Sequence, residues 1–263
     1  MSQKPAVLIS GASRGLGAET ACAVATLGAD LILTARSSEG LEKTAARVKA
    51  INPSLSVELH AGDLVDSNFC QSLGQAMVAR GGVDGVILNA AQVEPIGSLI
   101  HTDDAQWSKA IELNLVAPAR LARQLLPALI QRGGRLVTVG TGAAVSPIPS
   151  WSAYCTSKAG LLMLTRVIAA ECPEVTSLSF SPGVLDTVMQ QTIREKHEMM
   201  PSQLAEYFQG LHTSGNLVAP HIPGQALAWL ALNAPREWTG QEMNAGDPQF
   251  MEVVRGAYNP VDA

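Results

Sequence analysis

The chain has 263 residues, a formal net charge of −5, and an apolar share of 47% against 16% charged. That length is enough for a sizeable core in one large α/β domain or two small ones. The acidic balance, with no Lys/Arg cluster, leaves no footprint for nucleic acid or for an anionic membrane surface.

Cys22, Cys70, Cys155 and Cys172 lie far apart, with no CxxC pair and no histidines at ligand spacing. They read as incidental thiols in a reducing, cytoplasmic setting, and no metal site is expected. The first residues run directly into an apolar strand without a signal-peptide pattern. The most apolar later run, Ala159 to Ala170, contains Arg166 and is too short to cross a bilayer.

Short β-rich runs alternate with longer stretches of helical periodicity. Strands are predicted at Ala6 to Ser10, Asp30 to Ala35, Ser56 to His60, Gly85 to Asn89, Arg135 to Gly140, Val175 to Ser181 and Gln241 to Ala245. Helices are predicted at Ala18 to Leu27, Leu41 to Ile51, Asn68 to Ala79, Asp104 to Gln131, Ala153 to Glu171 and His221 to Leu232. No linker, repeat or low-complexity stretch interrupts this alternation. It predicts a single α/β domain over residues 1–263, a doubly wound parallel sheet of seven strands with helices on both faces.

The first strand-to-helix turn reads Ser10-Gly11-Ala12-Ser13-Arg14-Gly15-Leu16-Gly17. Its glycines permit a tight turn and close backbone approach, and the following helix start offers free N–H groups to a pyrophosphate. A plain connector is the alternative for such a turn taken alone. The second strand ends at Arg36, where NAD sites usually carry an acid that binds the ribose 2′-hydroxyl. Arg36 and Arg14 suit a 2′-phosphate instead, which favours NADP(H). Singly, each arginine is equally readable as a solvated surface charge.

Two further strand ends add polar groups at the carboxyl edge. Asp63, followed by Leu64, can accept from an adenine amino group, and Asn89 and Ala90 offer a small-residue surface for a cofactor to lie against; either Asp63 or Asn89 can also be a turn former. Asn114, inside an apolar helical run, either holds a water, kinks the helix or faces solvent.

Tyr154 and Lys158 are one helical turn apart on a shared face. An ammonium about 4 Å from a phenol, at an effective dielectric of about 20, lowers the phenol by on the order of three pKa units. That shift would make Tyr154 a working acid near neutral pH, while the YxxxK spacing alone also describes an ordinary surface contact.

The ordered set SGASRGLG at 10–17, Asp63, NAA at 89–91, Asn114, YCTSK at 154–158, SPGVLDT at 181–187 and TGQEMNAGD at 239–247 resembles the short-chain dehydrogenase/reductases, whose fold is of the Rossmann type. The match covers nearly the whole chain, and the context of Tyr154 is similar to small carbonyl reductases of the sepiapterin-reductase and benzil-reductase type. The resemblance implies Tyr154 as general acid/base and Lys158 as the group that lowers its pKa and binds the nicotinamide ribose. It implies that Asn114 anchors a relay water and that Pro182, Gly183, Val184 and Thr187 line the nicotinamide end. The family's serine, thirteen residues before the tyrosine, is here Thr141, which keeps the hydroxyl and adds a methyl group.

Residues 188–220 form an insertion rich in Met and aromatic side chains, readable as a substrate lid or as ordinary packing. The helical runs at 104–131 and 153–171 are apolar on more than one face, which predicts a homodimer or homotetramer. The expected function is NADPH-dependent reduction of a small, hydrophobic ketone, diketone or aldehyde, or the reverse oxidation of an alcohol. The alternative is a cofactor-binding regulatory or scaffold protein with little turnover.

Overall fold

The strands are apolar along almost their whole length because helices cover the sheet on both faces. The computed structural model describes residues 4–258. Its strands are β1 (Ala6–Ser10), β2 (Asp30–Ala35), β3 (Val57–Ala61), β4 (Gly85–Leu88), β5 (Arg135–Val139), β6 (Thr176–Ser181) and β7 (Glu242–Asn244). All pair in parallel, in the order β3-β2-β1-β4-β5-β6-β7. β1 and β2 have the predicted bounds, β3 begins one residue later than expected, and the other strands are shorter than predicted by one or two residues.

Alternation along each strand divides the core in two. Val7, Ile9, Leu31, Leu33 and Phe180 pack on one face against α1 (Gly15–Thr26), α2 (Ser38–Ile51), α9 (His221–Asn233) and α10 (Pro248–Tyr258). Ala6, Leu8, Ile32, Val86 and Leu136 point the other way, toward α3 (Ser67–Ala79), α5 (Ala117–Ile130) and α6 (Ser152–Glu171). α10 has no counterpart among the predicted helices. It docks through Phe250, whose ring lies 6.0 Å from Phe180, and the Tyr258 hydroxyl donates to the carbonyls of Ala23 and Gln225.

The helix predicted from 104 to 131 is not continuous. α4 (Asp104–Ile111) passes into a π-helical turn at Glu112–Val116 before α5 begins. The cause is Asn114, fully buried, whose side chain leaves the helix to bond the backbone of Gln92 in both directions: it accepts from the N–H at 2.9 Å and donates to the carbonyl at 2.8 Å.

Residues 188–220 contain α7 (Val188–Glu195) and α8 (Ser202–Thr213). The excursion is closed at its base, where Leu185 pairs with Val218 and the Val218 N–H donates to the Val184 carbonyl at 2.9 Å. No helix among the described residues is long and apolar enough to cross a membrane.

Candidate active site

β1 lies between β2 and β4, so the direction of winding reverses between β1 and β4, and a crevice opens at their carboxyl ends. The glycine turn closes one side of that crevice. Gly11 has φ +67° and Gly15 φ +54°, a region open to glycine at little cost. A Cβ on Gly17 would collide with the Gly11 carbonyl, and one on Gly11 would stand 2.9 Å from Asn89 Nδ2. β4 is stitched to this turn: Asn89 Nδ2 donates to the Ser10 carbonyl at 2.9 Å, and the Ser10 hydroxyl accepts from the N–H groups of Asn89 and Ala90. The Asn89 side chain therefore shapes the turn, and the backbone beside Ala90 forms the crevice floor.

α1 begins at Gly15 with no side-chain cap, so its first N–H groups have no partner within the helix. Ser13 packs against Gly40 of α2, and Leu16 and Leu64 have buried side chains, leaving only their backbones for a ligand. The side chains of Arg14 and Arg36 are exposed and make no ion pair or hydrogen bond among the described residues. The Asp63 carboxylate accepts from the Val65 N–H at 3.0 Å in a local turn and is otherwise exposed. An uncapped helix start, with unpaired guanidinium side chains in the glycine turn and after β2, can hold the phosphates of a dinucleotide.

The other side of the crevice carries the ionisable groups. Tyr154 and Lys158, in the first turns of α6, are 8% and 3% exposed. Lys158 Nζ donates to the Val139 carbonyl at the end of β5 (2.8 Å) and stands 5.7 Å from the centre of the Tyr154 ring. Burial dominates both. It pushes the Tyr154 phenol up to about 12, opposed by a side-chain hydrogen bond with Thr141, and pulls Lys158 down to about 8. The direction is opposite to the expected lowering of Tyr154: desolvation is the largest cause for both groups, and the lowering influence on the phenol comes from Thr141. Thr141, at the start of the loop after β5, accepts from the Ala143 N–H at 3.3 Å, which leaves its hydroxyl proton to donate.

Asn114 reaches this group through Ser157. Asn114 Nδ2 donates to Ser157 Oγ at 3.3 Å, and that hydroxyl donates to the Tyr154 carbonyl at 2.9 Å. Both amide protons of Asn114 are taken by protein groups, and its Oδ1 accepts one of the two bonds it can take.

After β6, Pro182 is buried and Gly183 turns the chain with φ +83°. The Val184 carbonyl is taken by Val218, whereas its N–H has no backbone partner among the described residues. A Cβ on Gly15 would lie 3.7 Å from the Thr187 methyl, so Thr187 and the glycine turn meet across the crevice. Three residues outside the predicted set also belong here. Ser10 locks the turn, Ser157 links Asn114 to α6, and Trp151 lies edge-on to Tyr154 with ring centres 5.7 Å apart. The three-residue spacing of Trp151 and Tyr154 was a visible signal for that last pair.

Residues 5–198 match the short chain dehydrogenase family. An uncharacterized oxidoreductase of Schizosaccharomyces pombe is 35% identical over 250 residues, covering 89% of this chain and 94% of its own. A benzil reductase ((S)-benzoin forming) of Saccharomyces cerevisiae is 32% identical over 263 residues, covering 94% of this chain and 98% of its own. The crystal structure of the KRED1-Pglu enzyme superposes with a TM-score of 0.85 at 34% identity, covering 91% of this chain and all of that one. With the crevice, the glycine turn and the Tyr154–Lys158 pair in family order, the chain belongs to the short-chain dehydrogenase/reductase family of oxidoreductases, whose cofactors are NAD(H) or NADP(H).

Proposed function

We propose that the protein is an NADPH-dependent carbonyl reductase acting on a small, hydrophobic ketone, diketone or aldehyde. The observation that carries this reading is the buried Tyr154 and Lys158, with the half-buried Thr141 beside the phenol, at the carboxyl edge of the sheet, across from the glycine turn. The benzil reductase relative, named for a diketone, supports a carbonyl substrate. Arg14 and Arg36, exposed and unpaired, support NADPH over NADH.

The cofactor would rest on Gly11, Ser13, Arg14, Gly15, Leu16 and Gly17 at its pyrophosphate. Arg36 would hold the 2′-phosphate, Asp63 and Leu64 the adenine, Asn89 and Ala90 the middle of the molecule. Pro182, Gly183, Val184 and Thr187 would take the nicotinamide. Bound there, the nicotinamide supplies the hydride. The chain's own contribution is the proton. Thr141 donates to the substrate oxygen and orients it toward the Tyr154 phenol, which gives up its proton as negative charge develops on that oxygen. A raised phenol keeps Tyr154 protonated and ready to donate at neutral pH. The Lys158 ammonium, the more acidic group of the pair, makes reprotonation of the phenolate a downhill transfer. Asn114 holds Gln92 and α6 in register.

We further read residues 1–263 as one catalytic domain with a lid at 188–220, in a cytoplasmic homodimer or homotetramer. Four free cysteines support the compartment, and exposed Met163 and Val167, one turn apart on α6, support the assembly. The test of function is a panel of small ketones, diketones and aldehydes with NADPH and with NADH, run on the wild type and Tyr154→Phe. Turnover with NADPH that disappears in Tyr154→Phe while NADPH still binds is the expected result. Equal turnover in the variant would remove Tyr154 from the mechanism, and binding of NADPH without turnover of any member would favour a regulatory protein.

A further inference from the structure

The Tyr154 ring borders an apolar cluster made by the protein itself. Trp151, Tyr154, Ile193, Met200 and Phe208 form one apolar cluster, each 8% exposed or less. Two cavities flank the lid, about 340 Å³ beside Pro95, Lys196 and Met199 and about 420 Å³ beside His197, Ala205 and Gln209. Tyr154 lines neither. A ring seated beside Tyr154 within this cluster would take the place of a side chain, and the packing shows which one is held least.

Trp151 is the fixed partner. Ser150, which precedes it, is held at φ +69°, a left-handed conformation that a non-glycine residue keeps only where its surroundings impose it. Trp151 also forms a bridge with Gly97, whose N–H donates to the Ser150 carbonyl at 2.8 Å. Phe208 is held differently. Its ring stacks on the indole at 5.3 Å between centres and 12° between planes, and it is the one buried residue of α8. Among the described residues, the hydrogen bonds made by positions 201–216 close within that segment, and no ion pair ties it to the body. Phe208 and its apolar neighbours are all that hold α8 over the site. The buried indole Nε1 has no acceptor among the described residues, so the polar edge of this wall is incomplete as it stands.

We propose that Phe208 is a displaceable occupant of a subsite for a planar ring, and that an aryl carbonyl substrate takes its place on Trp151, one ring away from the Tyr154 phenol. Trp151 and Phe208 would then set specificity: the first by stacking with the substrate, the second by competing with it. This rests on the reading of Tyr154 as the acid.

The test uses acetophenone and cyclohexyl methyl ketone as probes, with saturating NADPH. Phe208→Ala removes the competitor and should lower KM for acetophenone by about two- to tenfold, the worth of one aromatic pair. A side chain that merely contacts substrate or props up the lid would give the opposite sign. Trp151→Leu should raise KM for acetophenone by about two- to tenfold more than for the cyclohexyl ketone, which fills the same space without a π face. Phe208→Leu, which conserves apolar bulk but stacks poorly, should shift KM in the same direction as Phe208→Ala and guards against misfolding of the smaller variant. An acetophenone KM that is unchanged or raised in both Phe208 variants, or ketones that respond alike to Trp151→Leu, would overturn the proposal. Calorimetric titration of acetophenone into NADPH-loaded Tyr154→Phe, with and without Phe208→Ala, separates the two readings. Tighter binding with Phe208→Ala in a protein whose wild type has no turnover would sustain the subsite and reject the reductase. Turnover without any Phe208 effect would do the reverse.

Discussion

Lys158 is 3% exposed, bonds one carbonyl, and has no carboxylate beside it, so folding removes its charge from water with little return. Burial sets the folded pKa at about 8, against 10.5 ordinarily. Between these values the unfolded chain keeps a proton that the folded chain has released, so stability rises with pH across that window. That displacement of the pKa costs about 3 kcal/mol below pH 8, most of which is recovered between pH 7 and pH 10. Lys158→Met keeps the length of the side chain and cannot titrate, so its stability lacks this rise. It also leaves the Val139 carbonyl without its donor, a loss of about 1–3 kcal/mol that pH does not change. Urea unfolding of the wild type and Lys158→Met, without added cofactor and in matched buffers at pH 7, 8, 9 and 10, isolates the term, since the other titrating groups cancel in the difference. The window stops at pH 10 because Tyr154, raised to about 12, pulls stability down above that point. The wild type should gain about 2–3 kcal/mol on the variant from pH 7 to pH 10. A difference that stays flat would show that the Lys158 charge is solvated in the folded protein, and the downhill return of a proton to Tyr154 would lose its basis.

The remaining predictions concern the cofactor, the π-turn and the assembly. Replacing Arg36 by Asp should raise KM for NADPH by about tenfold or more while leaving NADH little changed, as loss of a charge-assisted contact to a 2′-phosphate requires; equal effects on both cofactors would place Arg36 away from that phosphate. Asn114→Leu leaves both polar groups of Gln92 without their partner and should cost about 2–4 kcal/mol in urea; a loss under about 1 kcal/mol would mean that water replaces the amide. Light scattering at micromolar concentration should find a dimer or tetramer that Met163→Lys shifts toward monomer, and a wild type that is already monomeric would refute the assembly.

Much of the site was legible because its signals are local. The glycine turn is contiguous, Tyr154 and Lys158 are one turn apart, and Asp63 and Asn89 each follow an obvious strand, so chain order alone assigns them to one edge of a parallel sheet. Helical periodicity could not show the π-turn at 112–116, since it arises when Asn114 bonds Gln92, 22 residues earlier. α10 was missed for a similar reason: its stability rests on Phe250 and Tyr258 docking onto distant parts of the core.

The sequence by itself determined the alternation of strands and helices, the turn at 10–17 and the YxxxK pair, because apolar period, glycine placement and helical spacing act over a few residues. Tertiary structure decided the electrostatics and the access. Spacing predicts attraction between Lys158 and Tyr154, but only packing reveals that both lose their water, which drives the two pKa values apart. Nor does any local pattern place Phe208 on Trp151, because that contact joins a strained turn in the body to a helix 57 residues further along the chain.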